Sequence, residues 1–112
     1  MITYADYQRI AESMLGEHEP ENRTAVSRTY YAAYHACQST YMTAPDTQGG
    51  MHRRFIQGLM NSHSTLDKRI GFKLNAIYAH RLTADYRLAD DLTRTHASDC
   101  IKHAADIIEL LK

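Results

Sequence analysis

Stepped at about 100° per residue, residues 21–42 carry Val26, Tyr30, Ala33, Cys37 and Tyr41 on one side. The opposite side shows Thr24, Arg28, Ala32, His35 and Ser39, with Ala25 and Ala36 flanking them. A helix with bulky apolar groups on one stripe and small groups on the other can be packed from both sides. Small side chains let a second helix come to about 8 Å, the short end of the interaxial range. A chain of 112 residues is one domain, and so small a monomer rarely supplies two burial partners for one helix. A homodimer is therefore expected to cover the Ala25/Ala32/Ala36 side.

The remaining periodic segments also repeat near 3.6, and none alternates over strand length. The expectation is all-α, a four- to five-helix bundle with antiparallel neighbours. Thr3 caps a first helix to about Met14–Leu15, with Asp6 as a shortened capping box and Tyr7, Ile10 and Met14 on one face. Gly16 and Pro20 precede the long second helix, and "TAPDTQGG" at 43–50 is a loop. A short helix from Met51 to about Asn61 turns Phe55, Leu59 and Met60 inward. A fourth starts at Thr65 with an apolar stripe of Leu66, Ile70, Leu74, Ile77 and Ala84. The last, over about 93–112, places Ala97, Cys100, Ile101, Ala104, Ile108 and Leu111 toward the core.

Charge restricts the partners. Thirteen Lys and Arg balance thirteen Asp and Glu, so contact with nucleic acid has to use a local patch rather than a general basic field. No charged-then-apolar leader opens the sequence, and no apolar run approaches the ~18 residues that span a bilayer. A cytoplasmic protein with no membrane contact is expected, its two cysteines, Cys37 and Cys100, buried as free thiols.

Several residues depart from the packing pattern. Arg81 falls within the apolar stripe of the fourth helix, where a charge must be paired or aimed at a ligand, and Asp85 stands four residues on. Arg28 and His35 share a face of the second helix. His52 opens the third helix with Arg53 and Arg54 beside it, a phosphate site or else a solvated basic turn. Lys68, Arg69 and Lys73 add positive charge on the fourth helix. His96, Cys100 and His103 share one helical face, but three ligands without a Cys-x-x-Cys pair fit a core cysteine flanked by ordinary histidines better than zinc. Tyr30 and Tyr41 read as core; Tyr31 and Tyr34 fit either core packing or base stacking.

Taken together, "AVSRTYYAAYHA" (25–36), "GGMHRRF" (49–55), "HRLTADY" (80–86) and the Ala/Ile-rich final helix resemble the small stand-alone HEPN (higher eukaryotes and prokaryotes nucleotide-binding) proteins. The resemblance spans about Tyr7 to Leu111. It implies a dimerising helical bundle of HEPN type. Many such proteins are metal-independent ribonucleases of prokaryotic defence or toxin–antitoxin systems, and some pair with a nucleotidyltransferase-type antitoxin. Their usual signature is an arginine followed one to two turns later by a histidine on a late helix. Here no histidine follows Arg81 at that spacing, and Tyr86 stands where its shortest version would place one.

The implied function is a metal-independent endoribonuclease without cofactor. The alternative is a non-catalytic HEPN module that docks a nucleotidyltransferase or nuclease. RNA cleavage without metal needs a base, an acid and a cation on the phosphate. In that scheme Arg28 and Arg81 bind phosphate, His35 or His52 act as acid and base, and Asp85 and Tyr86 orient them. The plainer reading makes Arg28, Asp85 and Tyr86 a buried polar network that fixes the second helix against the fourth.

Overall fold

The computed structural model describes residues 2–41 and 51–112, with Met51 described in its backbone only, so the expected 43–50 loop lies outside the described residues. Five helices form among the described residues: α1 (Tyr4–Met14), α2 (Glu19–Tyr41), α3 (Met51–Met60), α4 (Thr65–Tyr86) and α5 (Arg94–Leu110). Local chemistry sets several of these ends. The Asp6 carboxylate accepts from the Thr3 backbone N–H at 2.8 Å and from its hydroxyl at 3.3 Å. Ser64 Oγ accepts from the Asp67 N–H at the start of α4, and Thr93 Oγ1 from the His96 N–H at the start of α5.

Contacts at the helix ends fix the directions. Arg23, early in α2, bonds the carbonyls of Thr83 and Ala84 late in α4, while Tyr41 at the end of α2 donates to Asp67 at the start of α4. These two helices are therefore antiparallel. Asn22 pairs with both the N–H and the carbonyl of Gly16, each at 3.0 Å, so α1 folds back along α2. Pairs such as Lys73–Asp106 and His80–His96 run α5 antiparallel to α4. Of the helices adjacent in sequence, α1–α2 and α4–α5 thus pair antiparallel as expected. α2 is the central rod, touched by α1, α4 and α5.

The core holds Val26, Tyr30, Ala33 and Cys37 from α2, Ile56 and Leu59 from α3, Ile70, Leu74 and Ile77 from α4, and Ala97, Cys100, Ala104 and Ile107 from α5. Both thiols are free and buried, and burial pushes each up to about 12, which keeps them protonated and unreactive. The small side of α2 is also filled: Ala25, Ala32 and Ala36 are all buried within the single chain. Because α1 and α5 cover what the sequence leaves open, the alanine stripe supplies no reason for a second copy.

Three stripe assignments are corrected. Leu66 is exposed rather than core, because it lies in the first turn of α4, and that helix is first covered at Ile70. Ile10 is likewise exposed, and Ala11 is the buried residue of α1. In α5 Ile107 is buried with Ala97, Cys100 and Ala104, while Ile101, Ile108 and Leu111 are half-buried. α3 seats on α4 by close approach at Gly71, where an added Cβ would stand 2.8 Å from Met60 N and 2.9 Å from Leu59 Cβ.

Candidate functional site

Two groups of cations lie along the α2–α4 seam. At one end, Arg23 holds the α4 C-terminus. Its Nη1 donates to the carbonyls of Thr83, Ala84 and Arg87 at 2.9, 3.2 and 3.3 Å. Its Nη2 donates to those of Leu88 and Asp90, and its other partner is Glu19 Oε1. The last carbonyls of a helix have no partner within it, and they carry the negative end of its dipole. A guanidinium set among them meets both needs. Glu19 completes the corner by accepting from the Leu92 N–H at 3.1 Å. That bond, together with Arg23, holds the Glu19 carboxyl below its ordinary range. The sequence reading passed over Arg23, whose partners are backbone atoms some sixty residues away in the chain.

Farther along the seam the chemistry changes. Tyr31 of α2 carries two guanidinium groups, Arg28 at 5.4 Å and Arg81 at 5.9 Å from its ring centroid. Arg28 also lies 5.9 Å from the Tyr7 ring, and it makes no hydrogen bond or ion pair among the described residues. Arg81 is flanked by the rings of Tyr86 and Tyr30 at 5.3 and 5.8 Å. Its Nε stands 3.0 Å from Asp85 Oδ2 but is not directed at it as a hydrogen bond, so the contact is ionic. Its Nη2 reaches the Tyr31 hydroxyl only at 3.5 Å. Burial disfavours the charge on Arg81, but Tyr31, Asp85 and Tyr86 more than offset that and hold its pKa above the ordinary value. The i+4 pairing with Asp85 is therefore present, and Ser27 Oγ donates to Asp85 Oδ2 at 3.4 Å from α2.

The two histidines meet the same tyrosines. His35 stacks against Tyr7 (centroids 5.7 Å apart, planes at 15°) and Tyr31 (6.1 Å, 22°), with Nδ1 3.4 Å from Gln38 Oε1. His52 stacks on Tyr34 at 4.0 Å, and its Nδ1 lies 2.7 Å from the Tyr30 hydroxyl. Burial, with Tyr34 and Tyr78 nearby, raises the Tyr30 phenol well above its usual range. It therefore keeps its proton and, where the imidazole is neutral, donates to Nδ1 and leaves the ring's own proton on Nε2. His52, in the first turn of α3, thus packs its ring against α2. Tyr34, in ring contact with both imidazoles, separates them.

Arg28, Arg81, His35, Asp85 and Tyr86 gather around Tyr31 and Tyr7, with His52 one ring away across Tyr34. The polar network drawn from the sequence needs correction, since Tyr86 is 68% exposed and Arg28 has no bond to Asp85. Lys68 and Arg69 lie about 18–20 Å from Arg81 along α4, and Lys73 pairs with Asp106 at 3.4 Å; they form a separate surface. Tyr7 and Ser27 were missed because their roles depend on helix pairing. Cys100 is sealed in the core, and no group of three His, Cys, Asp or Glu among the described residues is placed to hold a metal. No described helix is long and apolar enough to cross a membrane.

Comparison of the chain with family models, with curated proteins and with solved structures finds no match.

Proposed function

We propose that this chain acts on RNA, as a HEPN-type protein of a prokaryotic defence or toxin–antitoxin system, with the Arg28/Arg81 face holding the phosphates. The observation that carries the reading is the pair of guanidinium groups laid on one tyrosine. Rings hold an arginine in place through its π-face contact while leaving its N–H donors available, and Arg28 has no anionic partner among the described residues. A planar guanidinium fork matches phosphate oxygens bidentately, as it does a carboxylate. The exposed Tyr86 ring and half-buried Tyr31 provide faces on which bases can stack.

In the catalytic form, this face works as a metal-independent endoribonuclease. The ribose 2′-oxygen attacks phosphorus, the bond to the 5′-oxygen breaks, and a 2′,3′-cyclic phosphate forms. With Nδ1 turned to Gln38 Oε1, His35 takes the 2′ proton on Nε2. His52, in its protonated form with the Tyr30 hydroxyl turned to accept from Nδ1–H, returns a proton from Nε2 to the 5′-oxygen, while Arg28 and Arg81 bear the phosphate charge. Incubation of the purified protein with RNA and EDTA tests this. Cyclic-phosphate ends that disappear in Arg28→Ala, His35→Ala and Arg81→Ala support it; intact RNA at every protein concentration refutes cleavage.

A second reading is favoured by the separation of His35 from His52 and by Tyr86 at the position where a late-helix histidine would stand. In it the chain holds RNA without cutting it and docks a nucleotidyltransferase or nuclease through the exposed α4 end, where Tyr86 and Leu88 are 68% and 76% exposed. Homodimerisation belongs to both readings, and sedimentation at tens of micromolar tests it.

A further inference from the structure

Beside the arginine face, on the far side of the Tyr7–His35 stack, α1 and α2 enclose a hollow of about 430 Å³ lined by Ile2, Thr3, Tyr4, Tyr7, His35 and Ser39. We infer that this hollow is a nucleobase subsite, taking one unstacked base of the RNA strand whose phosphate rests on Arg28. The inference deepens the RNA reading and rests on it. Its volume lies within the roughly 300–1,000 Å³ of small-ligand pockets. Its walls suit a flat, neutral heterocycle. Tyr4, Tyr7 and His35 supply rings, Ser39 and Thr3 supply hydroxyls for base edges, and among the described residues neither a carboxylate nor a guanidinium lines it. Among the described residues a phosphate would find no fixed cation here, and a peptide carboxylate no partner.

The position relative to Arg28 supports the same ligand. Arg28 and His35 are two turns apart on one face of α2, about 10 Å along the axis. Tyr7 touches both, the guanidinium at 5.9 Å and the imidazole at 5.7 Å. A cation and a ring-walled hollow joined by one aromatic side chain match the alternation of phosphate and base along a single strand.

Binding of a ten-nucleotide oligouridylate and of an abasic ribose-phosphate strand of the same length and charge tests the inference. The wild-type protein is expected to prefer the base-bearing strand by roughly 5- to 150-fold, the range of one base stacked on protein rings. Tyr7→Leu, which keeps apolar bulk, is expected to abolish the preference. Ser39→Leu is expected to do the same by filling the hollow from its exposed rim, which leaves the α1–α2 packing intact. Arg28→Ala should weaken both strands alike. Equal affinity for the two strands, or a preference that survives both hollow variants, overturns the subsite while the RNA reading stands. Binding of neither strand overturns both.

Discussion

Arg23 and Arg28 lie five residues apart on α2, both neighbours of a core helix, yet the structure treats them oppositely. Arg23 is surrounded by carbonyl oxygens of the α4 end and by Glu19, so its donors are occupied within the fold. Arg28 is held by two tyrosine faces, which constrain its position and leave its donors unpaired among the described residues. Arg81 stands between these cases, with one ionic contact to Asp85 and three rings around it. Being half-buried does not separate a structural arginine from a ligand-binding one. The chemistry of its partners does.

Removing Arg23 should have the largest effect on folding. Arg23→Ala leaves the last α4 carbonyls unpaired and is expected to cost about 2–4 kcal/mol in urea denaturation. Arg23→Lys should recover only part of that, because one ammonium cannot reproduce the spread of the fork. At the other end of the same seam, Tyr41→Phe removes the 2.6 Å bond to Asp67 and should cost about 1–2 kcal/mol. Arg28→Ala, by contrast, forfeits only ring contacts and should change stability by no more than about 1 kcal/mol while weakening RNA binding. An Arg28→Ala loss as large as that of Arg23→Ala would erase the distinction.

The smallest effect is one of pH. The Leu92 N–H and Arg23 hold the folded Glu19 carboxyl below its ordinary value of 4.5, so on acidification the unfolded chain binds the proton first. The stability that Glu19 contributes is complete above pH 4.5 and is lost as the pH falls toward the lowered folded value. A denaturation series from pH 6 to pH 3 should show this loss in the wild type and a shallower one in Glu19→Gln.

What could be read in the sequence follows from how far each determinant reaches along the chain. Helix period and capping are local, so the helices and most of their ends were legible, including the cap at Thr3 and the starts of α4 at Thr65 and α5 near residue 93. The Arg81–Asp85 pair was legible because both residues share one helix. The Arg23 clasp was not, since its acceptors are backbone oxygens near the far end of α4. Nor could Tyr7 be placed beside Arg28 before α1 was known to fold back along α2. The small-residue stripe of α2 was read correctly as a packing surface and assigned to the wrong partner. Periodicity shows that a face is covered without showing by what.

The salt dependence of single-stranded RNA binding tests the phosphate-holding face most directly. Each arginine that neutralises a phosphate adds about 0.7 to the slope of log Kobs against log salt. Arg28→Gln and Arg81→Gln should each flatten the wild-type slope by about that amount, with helix content unchanged. Slopes and affinities identical to wild type in both folded variants would contradict the assignment of this face to RNA.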